Sequence, residues 1–269
     1  MQCTIRCDHT IVNCPQKEDY YAHIHNDVHE ILLFLVGNAY YYVEGNRYDL
    51  MPGDLLLMRK GEVHRLMLNA TTRYERILLN FDFPSIASLD PDNRLLRPFA
   101  ERKLGHFNHY RAKLFPDNHW SYYLERIAQA ANDYQKIYYL LPLLNELSEA
   151  FPAVQSDVVK KETNIAIPIL KYINKHLTGE LSVELLAERF YMSKSHLNRI
   201  FKQYTGVPVW GYITAKRLLL GRELLQSGTS PTQACVRCGF RNYTAFYRAY
   251  VKQYGVMPKE DYKNAEVRQ

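Results

Sequence analysis

Between residues 31 and 83 the chain alternates short apolar, β-prone runs with turn residues. The runs cover residues 31–36, 40–44, 48–50, 55–58 and 74–83, and they are punctuated by Gly37-Asn38, Gly45-Asn46 and Pro52-Gly53-Asp54. Strands this short at this spacing predict a small barrel or sandwich. Residues 84–118 mix proline, asparagine, arginine and short apolar pieces and carry no clear period. From Trp120 the period is helical, first through Leu124, Ile127, Ala128 and Ala131, then through Ile137, Leu140, Leu141, Leu144, Leu147 and Phe151. Pro142 inside the second run predicts a kink or a break. Residues 152–163 are polar and aperiodic, which suits a linker, and everything after them reads as helices with short turns.

In the C-terminal part, Leu181-Ser182 precedes a capped short helix over residues 183–189, and Phe190-Tyr191-Met192 turns into a second cap at Ser193. The next helix, from Lys194 to about Tyr204, places Leu197, Ile200, Phe201 and Tyr204 on one stripe and leaves Ser195, His196, Asn198, Arg199 and Lys202 outside it. Two short helices joined by a tight turn, with a basic polar face on the second, describe a helix-turn-helix. After a longer helix over about 209–226 the arrangement recurs: Pro231 at a helix start, a turn at Gly239-Phe240, a cap at Asn242 and a helix over residues 243–254. Phe201-Lys202-Gln203-Tyr204-Thr205-Gly206-Val207-Pro208 pairs with Val251-Lys252-Gln253-Tyr254-Gly255-Val256-Met257-Pro258, an internal duplication. Two such motifs on one rigid helix can enter successive major-groove turns roughly 34 Å apart.

A chain of 269 residues suits two domains, and 47% hydrophobic with 23% charged residues is the balance of a soluble globular protein. No stretch is long and apolar enough for a membrane helix, and the N-terminus has no signal-peptide core, so a cytoplasmic location without membrane partners is expected. The five cysteines are odd in number and scattered, which predicts reduced thiols. Charge is unevenly placed: residues 164–269 carry +9 and residues 1–163 carry −3, of a formal net +6. Such an asymmetry points the C-terminal part at a polyanion.

The C-terminal residues Leu181-Ser182, Leu186-Ala187, Ser193, His196-Leu197, Arg199, Phe201-Lys202, Gly206, Tyr212, Arg217, Leu224-Leu225, Gly239-Phe240, Phe246, Arg248, Gly255, Pro258 and Tyr262 resemble the AraC/XylS family of bacterial transcription regulators. The resemblance implies double-stranded DNA and RNA polymerase as partners. It places Ser195, Asn198 and Arg199 at base-facing positions of the first recognition helix, and Tyr243, Thr244, Tyr247 and Arg248 at those of the second. Arg and Asn are also the types suited to guanine and adenine edges. Lys194, Lys202, Arg241 and Lys252 read as phosphate-positioning charges. Where the family has two Ile and an Ala in the first helix of the second motif, this chain has Pro231, Ala234 and Cys235, so looser packing is expected there. Cys235 and Cys238 read as small buried residues.

In the N-terminal part, His23-Ile24-His25-Asn26-Asp27-Val28-His29-Glu30 is followed by Gly37, by Pro52-Gly53-Asp54 and by Gly61-Glu62-Val63-His64. This resembles the two motifs of the cupin barrel. Arg59 stands where a proline is common, and the final Asn falls one place late, at Asn69. In metal-binding cupins the matching side chains, here His23, His25, Glu30 and His64, form a site for Mn, Fe, Ni or Zn. The other reading gives these groups to an organic effector as hydrogen-bonding partners, with no cofactor at all. Tyrosines crowd the region, and strand alternation sends Tyr40 and Tyr42 to one face and Tyr41 to the other. Aromatic rings with His, Glu and Arg suit a sugar, so Tyr40 and Tyr42 join the effector set.

The expected fold is a multidomain α+β chain: a cupin-like barrel over 1–118, a helical dimerisation segment over 119–151, a linker over 152–163 and an all-α DNA-binding domain over 164–269. The stripe Ile137, Leu140, Leu141, Leu144 and Leu147 would pack against a second copy or against its own barrel. The expected function is non-enzymatic: a homodimeric, sequence-specific transcription activator whose effector acts through an N-terminal arm, residues 1–22, and the dimer helices. Two alternatives stay open, a cupin metalloenzyme carrying a DNA-binding module and a cysteine-based alkyl-transfer sensor using Cys3, Cys7 or Cys14.

Overall fold

The computed structural model describes residues 5–13, 23–25, 27–68, 73–82, 86, 89–157 and 165–266, the side chains of His23 and residues 264–266 excepted. The chain divides into two compact units, residues 1–163 and 164–269.

In the first unit the described strands are β1 (Ile5–Val12), β2 (His23–Ile24), β3 (His29–Val36), β4 (Ala39–Val43), β5 (Asn46–Asp49), β6 (Leu55–Met58), β7 (Val63–Leu68), β8 (Tyr74–Phe81) and β9 (His109–Tyr110). They form a five-stranded sheet in the order β1-β8-β3-β6-β9 and a four-stranded sheet in the order β2-β7-β4-β5. The apolar run of β3 is continuous because both of its faces are covered. Ile31 and Leu33 join Leu55, Leu57, Ile77 and Leu79 in a core with two helices, α2 (Trp120–Gln129) and α3 (Asp133–Ser156), which follow a short α1 (Arg97–Ala100). Leu32 and Phe34 point the other way, into a second core with Tyr41, Val43 and Leu66 of the smaller sheet.

Three expectations are corrected. Residues 5–12 are no arm: β1 pairs with β8 along its whole length, from Ile5 opposite Phe81 to Val12 opposite Tyr74. Residues 1–4 and 14–22 of that arm lie outside the described residues, as do Cys3, Cys14 and Asn69. Pro142 does not end the helix, since α3 continues through Pro142 and Pro152 to Ser156. An interior proline costs about 3 kcal/mol, and burial of Leu140, Leu143, Leu144, Leu147, Phe151 and Val154 offsets it. The same helix takes up the first part of the expected linker, whose residues 158–163 lie outside the described residues. Within the stretch that carries no apolar period, residues 102–108 are held by polar anchors. Glu62, fully buried, accepts from Arg102 Nη1 and Nη2 at 2.5 and 2.8 Å, from Gly105 N at 2.7 Å and from Asn108 Nδ2 at 3.0 Å.

The second unit is helical throughout: α4 (Ala166–Lys175), α5 (Val183–Arg189), α6 (Lys194–Thr205), α7 (Val209–Gln226), α8 (Pro231–Arg237), α9 (Tyr243–Tyr254) and α10 (Pro258–Glu266). Ser182, Ser193 and Asn242 cap α5, α6 and α9 by accepting from Leu185 N, His196 N and Ala245 N. Gly206 and Gly255 close α6 and α9 in the left-handed conformation. The second motif is closely packed: Ala234, Cys235 and Cys238 are buried with Leu218, Leu225, Phe246 and Tyr250. A Cβ on Gly221 would lie 2.9 Å from the Phe246 ring. Aromatic rings fill the volume that the small residues of α8 leave, so the expected looseness is not found.

Candidate DNA interface and effector cavity

The second unit presents two polar helix faces, and the local pattern explains both. On α6 the stripe turned inward includes buried Leu197 and Phe201, which leaves Lys194, Ser195, His196, Arg199 and Lys202 exposed. On α9, Phe246 and Tyr250 are buried while Tyr243, Thr244, Tyr247, Arg248 and Lys252 are exposed. These side chains are of the types that reach base edges and phosphates. Lys194 pairs with Glu184 at 2.5 Å and Arg241 with Glu180. All four side chains are largely exposed, so each pair contributes little and can exchange for a phosphate.

Asn198 departs from the expectation. It is half-buried, its Oδ1 accepts from Val209 N at 3.2 Å and its Nδ2 donates to Lys194 O at 3.2 Å. Pro208, the N-cap of α7, supplies no side-chain bond, so Asn198 caps α7 from the neighbouring helix. Both ends of its amide are engaged within the fold.

Arg217, matched by sequence without a role, proves to join the two motifs. Its guanidinium donates to Leu177 O and Gly179 O, both at 2.8 Å. Gly239, in the turn of the second motif at φ +93°, lies so close that a Cβ there would sit 3.0 Å from Leu177 O. Only glycine fits this contact between the second turn and the loop leading into the first motif.

The first unit holds a polar cluster on the inward faces of both sheets. His25 Nε2 lies 2.8 Å from Glu30 Oε2, and His64 Nε2 lies 3.4 Å from Glu30 Oε1. His64 Nδ1 is 3.0 Å from Glu62 O, and because a carbonyl only accepts, that nitrogen carries a proton. Burial alone would raise the Glu30 carboxyl, but His64 and His25 hold it well below the usual carboxylate range. Burial likewise opposes a proton on His64, and Glu30 overcomes it, raising the imidazole above its ordinary value.

These residues fit a metal. One ligand atom from each of His25, Glu30 and His64 lies within 4.8 Å of the others, two imidazoles and a carboxylate suit a first-row divalent ion, and the Glu62 carbonyl orients His64 as an outer-shell partner would. When bound, such an ion supplies a Lewis-acidic anchor for ligand oxygens. His23 pairs with His64 in the β2–β7 register, and its side chain lies outside the described residues.

Register decides which tyrosines share this face. Val43 lies opposite His64 and Tyr41 opposite Leu66, so Tyr41 is inward, 1% exposed, and stacks on His64 at 6.5 Å. Tyr40 and Tyr42, the expected pair, stand opposite Met67 and Arg65 on the other face, with Arg47 over the Tyr40 ring. Tyr41, Arg76 and Asn80 are the inward residues that sequence reasoning missed. Alternation separates Tyr41 from its neighbours but carries no sign of which parity is inside.

The helical stripe is also reassigned. Leu140, Leu144 and Leu147 are fully buried in the core shared with β3, β6 and β8, and Ile137 and Leu141 pack against it. They cover their own barrel. The outward side of α2 and α3 carries Tyr122, Tyr134 and Tyr138, the last two 86% and 74% exposed.

Comparison with known proteins agrees with both halves. A family described as AraC-like ligand binding domain matches residues 10–102, and one described as helix-turn-helix domain matches residues 186–264. The HTH-type transcriptional activator RhaS of Escherichia fergusonii is 25% identical over 247 residues, covering 88% of this chain and 85% of that protein. The HTH-type transcriptional regulator ArgR of Pseudomonas aeruginosa is 32% identical over 139 residues, 51% of this chain, which spans 37% of that relative's length. The crystal structure of the DNA-binding domain of AdpA in complex with a target DNA matches 40% of this chain and 97% of its own, at 27% identity and a TM-score of 0.37. These relatives are regulators rather than enzymes. The chain belongs to the AraC family of DNA-binding transcription regulators, a ligand-binding β domain followed by a helical domain with two helix-turn-helix motifs.

Proposed function

We propose that this regulator activates transcription, as a homodimer acting with RNA polymerase, in response to a small polar effector of the carbohydrate class held on the inward face of its β domain. The observation that carries this reading is the buried set Glu30, His64 and Tyr41, joined by half-buried His25 and Arg76, inside the domain that matches a ligand-binding family. A core with only a packing role has no use for so many polar groups, each of which costs free energy unless it is bonded. The activating sense rests on the name of a relative that spans most of the chain. Self-association falls to the outward Tyr122, Tyr134 and Tyr138, since the leucine stripe is occupied.

Effector binding shifts a population of states that present the DNA-binding unit differently, by as much as its affinities for those states differ. Thermal shift of the full chain against a sugar panel, followed by in vitro transcription with the stabilising compound, tests this. Stabilisation and raised transcript by the same compound support it, and transcription indifferent to every stabilising compound refutes it. A second reading is favoured by the His64 orientation: His25, Glu30 and His64 hold a divalent metal, which elemental analysis of the purified protein tests. About one ion per chain, lost in His64→Ala, supports the metal, and a protein purified without chelator that carries none refutes it.

A further inference from the structure

The inward face of the larger sheet can be laid out row by row from its registers. Arg6, Asn80, Glu30 and Met58 form one row across β1, β8, β3 and β6, Asp8, Leu78, Leu32 and Leu56 the next, and Thr10, Arg76 and Phe34 the third. Toward β6 the rows end in the packed inner core. Toward β1 they turn polar, and a cleft of about 530 Å³ opens over Arg6, Asp8, Thr10, Arg76, Leu78 and Asn80. That volume suits a small metabolite.

Two atoms of this cleft are closed off from solvent and unbonded. Arg76 Nε finds no acceptor among the described residues, and Asn80 Oδ1 finds no donor. A buried polar atom without a partner marks a place where something else completes the bond. Arg76 is aimed by its own packing, with Nη1 donating to the Tyr41 hydroxyl at 3.1 Å.

Charge decides the chemistry. The described inward residues of these rows carry two guanidiniums, Arg6 and Arg76, and two carboxylates, Asp8 and Glu30. Asp8 accepts from Arg6 Nε at 2.7 Å, and Glu30 serves His25 and His64. Arg76 is bonded to the Tyr41 phenol rather than to a carboxylate, so its guanidinium is the cation of the cleft that a ligand anion can pair with. A guanidinium fork matches a carboxylate in geometry. A phosphate dianion calls for a second cation, and here that cation is engaged by Asp8. The remaining groups, Thr10, Asp8 and Asn80, hydrogen-bond to hydroxyls. Arg76 and Asn80 stand four residues apart on one strand, about 13 Å between Cα atoms, and side chains reaching toward each other leave room for a hexose-sized molecule between them.

We infer that the cleft along β1 and β8 binds a polyhydroxylated carboxylate of the uronic or aldonic acid class, its carboxylate on Arg76 and a hydroxyl donating to Asn80. This rests on the β domain being the effector site and deepens that reading.

Titration calorimetry on the full chain tests it with matched probes: D-galacturonate, D-glucuronate and D-gluconate against D-galactose, D-glucose and D-glucitol, with D-glucose 6-phosphate alongside. The expected result is that at least one acid binds about tenfold or more tightly than its neutral counterpart. Arg76→Gln removes that preference, weakening the acid more than its neutral counterpart. Arg76→Lys, which keeps the charge without the fork, binds the acid with intermediate affinity and serves if Arg76→Gln does not fold by circular dichroism. A neutral sugar bound as tightly as its acid overturns the inference while the effector reading stands. Tighter binding of the phosphate overturns the monoanion assignment. Binding of no probe at millimolar concentration overturns both this inference and the carbohydrate class of the effector.

Discussion

Leu144 separates two accounts of the helical pair. It is fully buried on α3 in a core shared with Ile31, Leu33, Leu57 and Ile77 of the larger sheet. Truncation to alanine removes buried methyl and methylene groups worth about 2 kcal/mol in transfer. The cavity left between a helix and a sheet that cannot fully close brings the loss to about 3 kcal/mol. For a unit of this size that lowers the melting temperature by roughly 6–12 °C. The chain has two tryptophans, Trp120 in the first unit and Trp210 in the second. In a Trp210→Phe background, fluorescence of buried Trp120 therefore reports the first unit alone. Sedimentation of the same samples reads self-association. Leu144→Ala should lower the Trp120 transition and leave association per folded chain intact. Tyr138→Ala, at a position 74% exposed, should do the reverse, with stability changed by less than about 0.5 kcal/mol. An unchanged Trp120 transition with lost association for Leu144→Ala would place the stripe between subunits and refute the packing argument.

Three further outcomes are expected. Arg199→Ala should lose about 1–3 kcal/mol on cognate DNA and relax one base pair, whereas Lys202→Ala should weaken all sequences and lower the salt slope by about one; equal losses on cognate and random DNA for Arg199→Ala would remove it from the groove. Asn198→Ala should cost about 1 kcal/mol of stability through the lost cap on α7 and leave base preference unchanged, as binding to a randomised operator library would show. Burial, with Asp8 nearby, pushes the Cys7 thiol up to about 12, and burial pushes Cys238 to about 12 and raises Cys235. In a Cys3→Ser, Cys14→Ser background, a thiol reagent at pH 8 should therefore find nothing reactive until denaturant is added, and rapid labelling of the folded protein would support the alkyl-transfer reading.

The helix-turn-helix motifs were legible because their information is local. Ser182, Ser193 and Asn242 accept from backbone amides three residues on, and Gly206 and Gly255 close helices at the residue where they stand. A cap or a 3.6-residue stripe is complete within a dozen residues, so sequence alone determined these elements, their exposed basic faces and the strand-and-turn character of residues 31–83. The resemblance to the cupin motifs also implied that Glu30 and His64 share a site. What sequence could not supply was parity and partnership. Tyr41 rather than Tyr40 faces the cavity because β4 pairs with β7 in one register, and a shift of one residue would exchange them. Residues 5–12 look polar and alternating until β8, some seventy positions away, pairs with them and turns Arg6, Asp8 and Thr10 toward Arg76 and Asn80. Asn198 looks like a base reader until the chain returns eleven residues later with an uncapped amide at Val209. The leucine stripe of α3 announces that it must be buried and is silent about against what. Periodicity states which side of an element avoids water, whereas the surface that meets it is set by long-range pairing, and only the tertiary structure decides that.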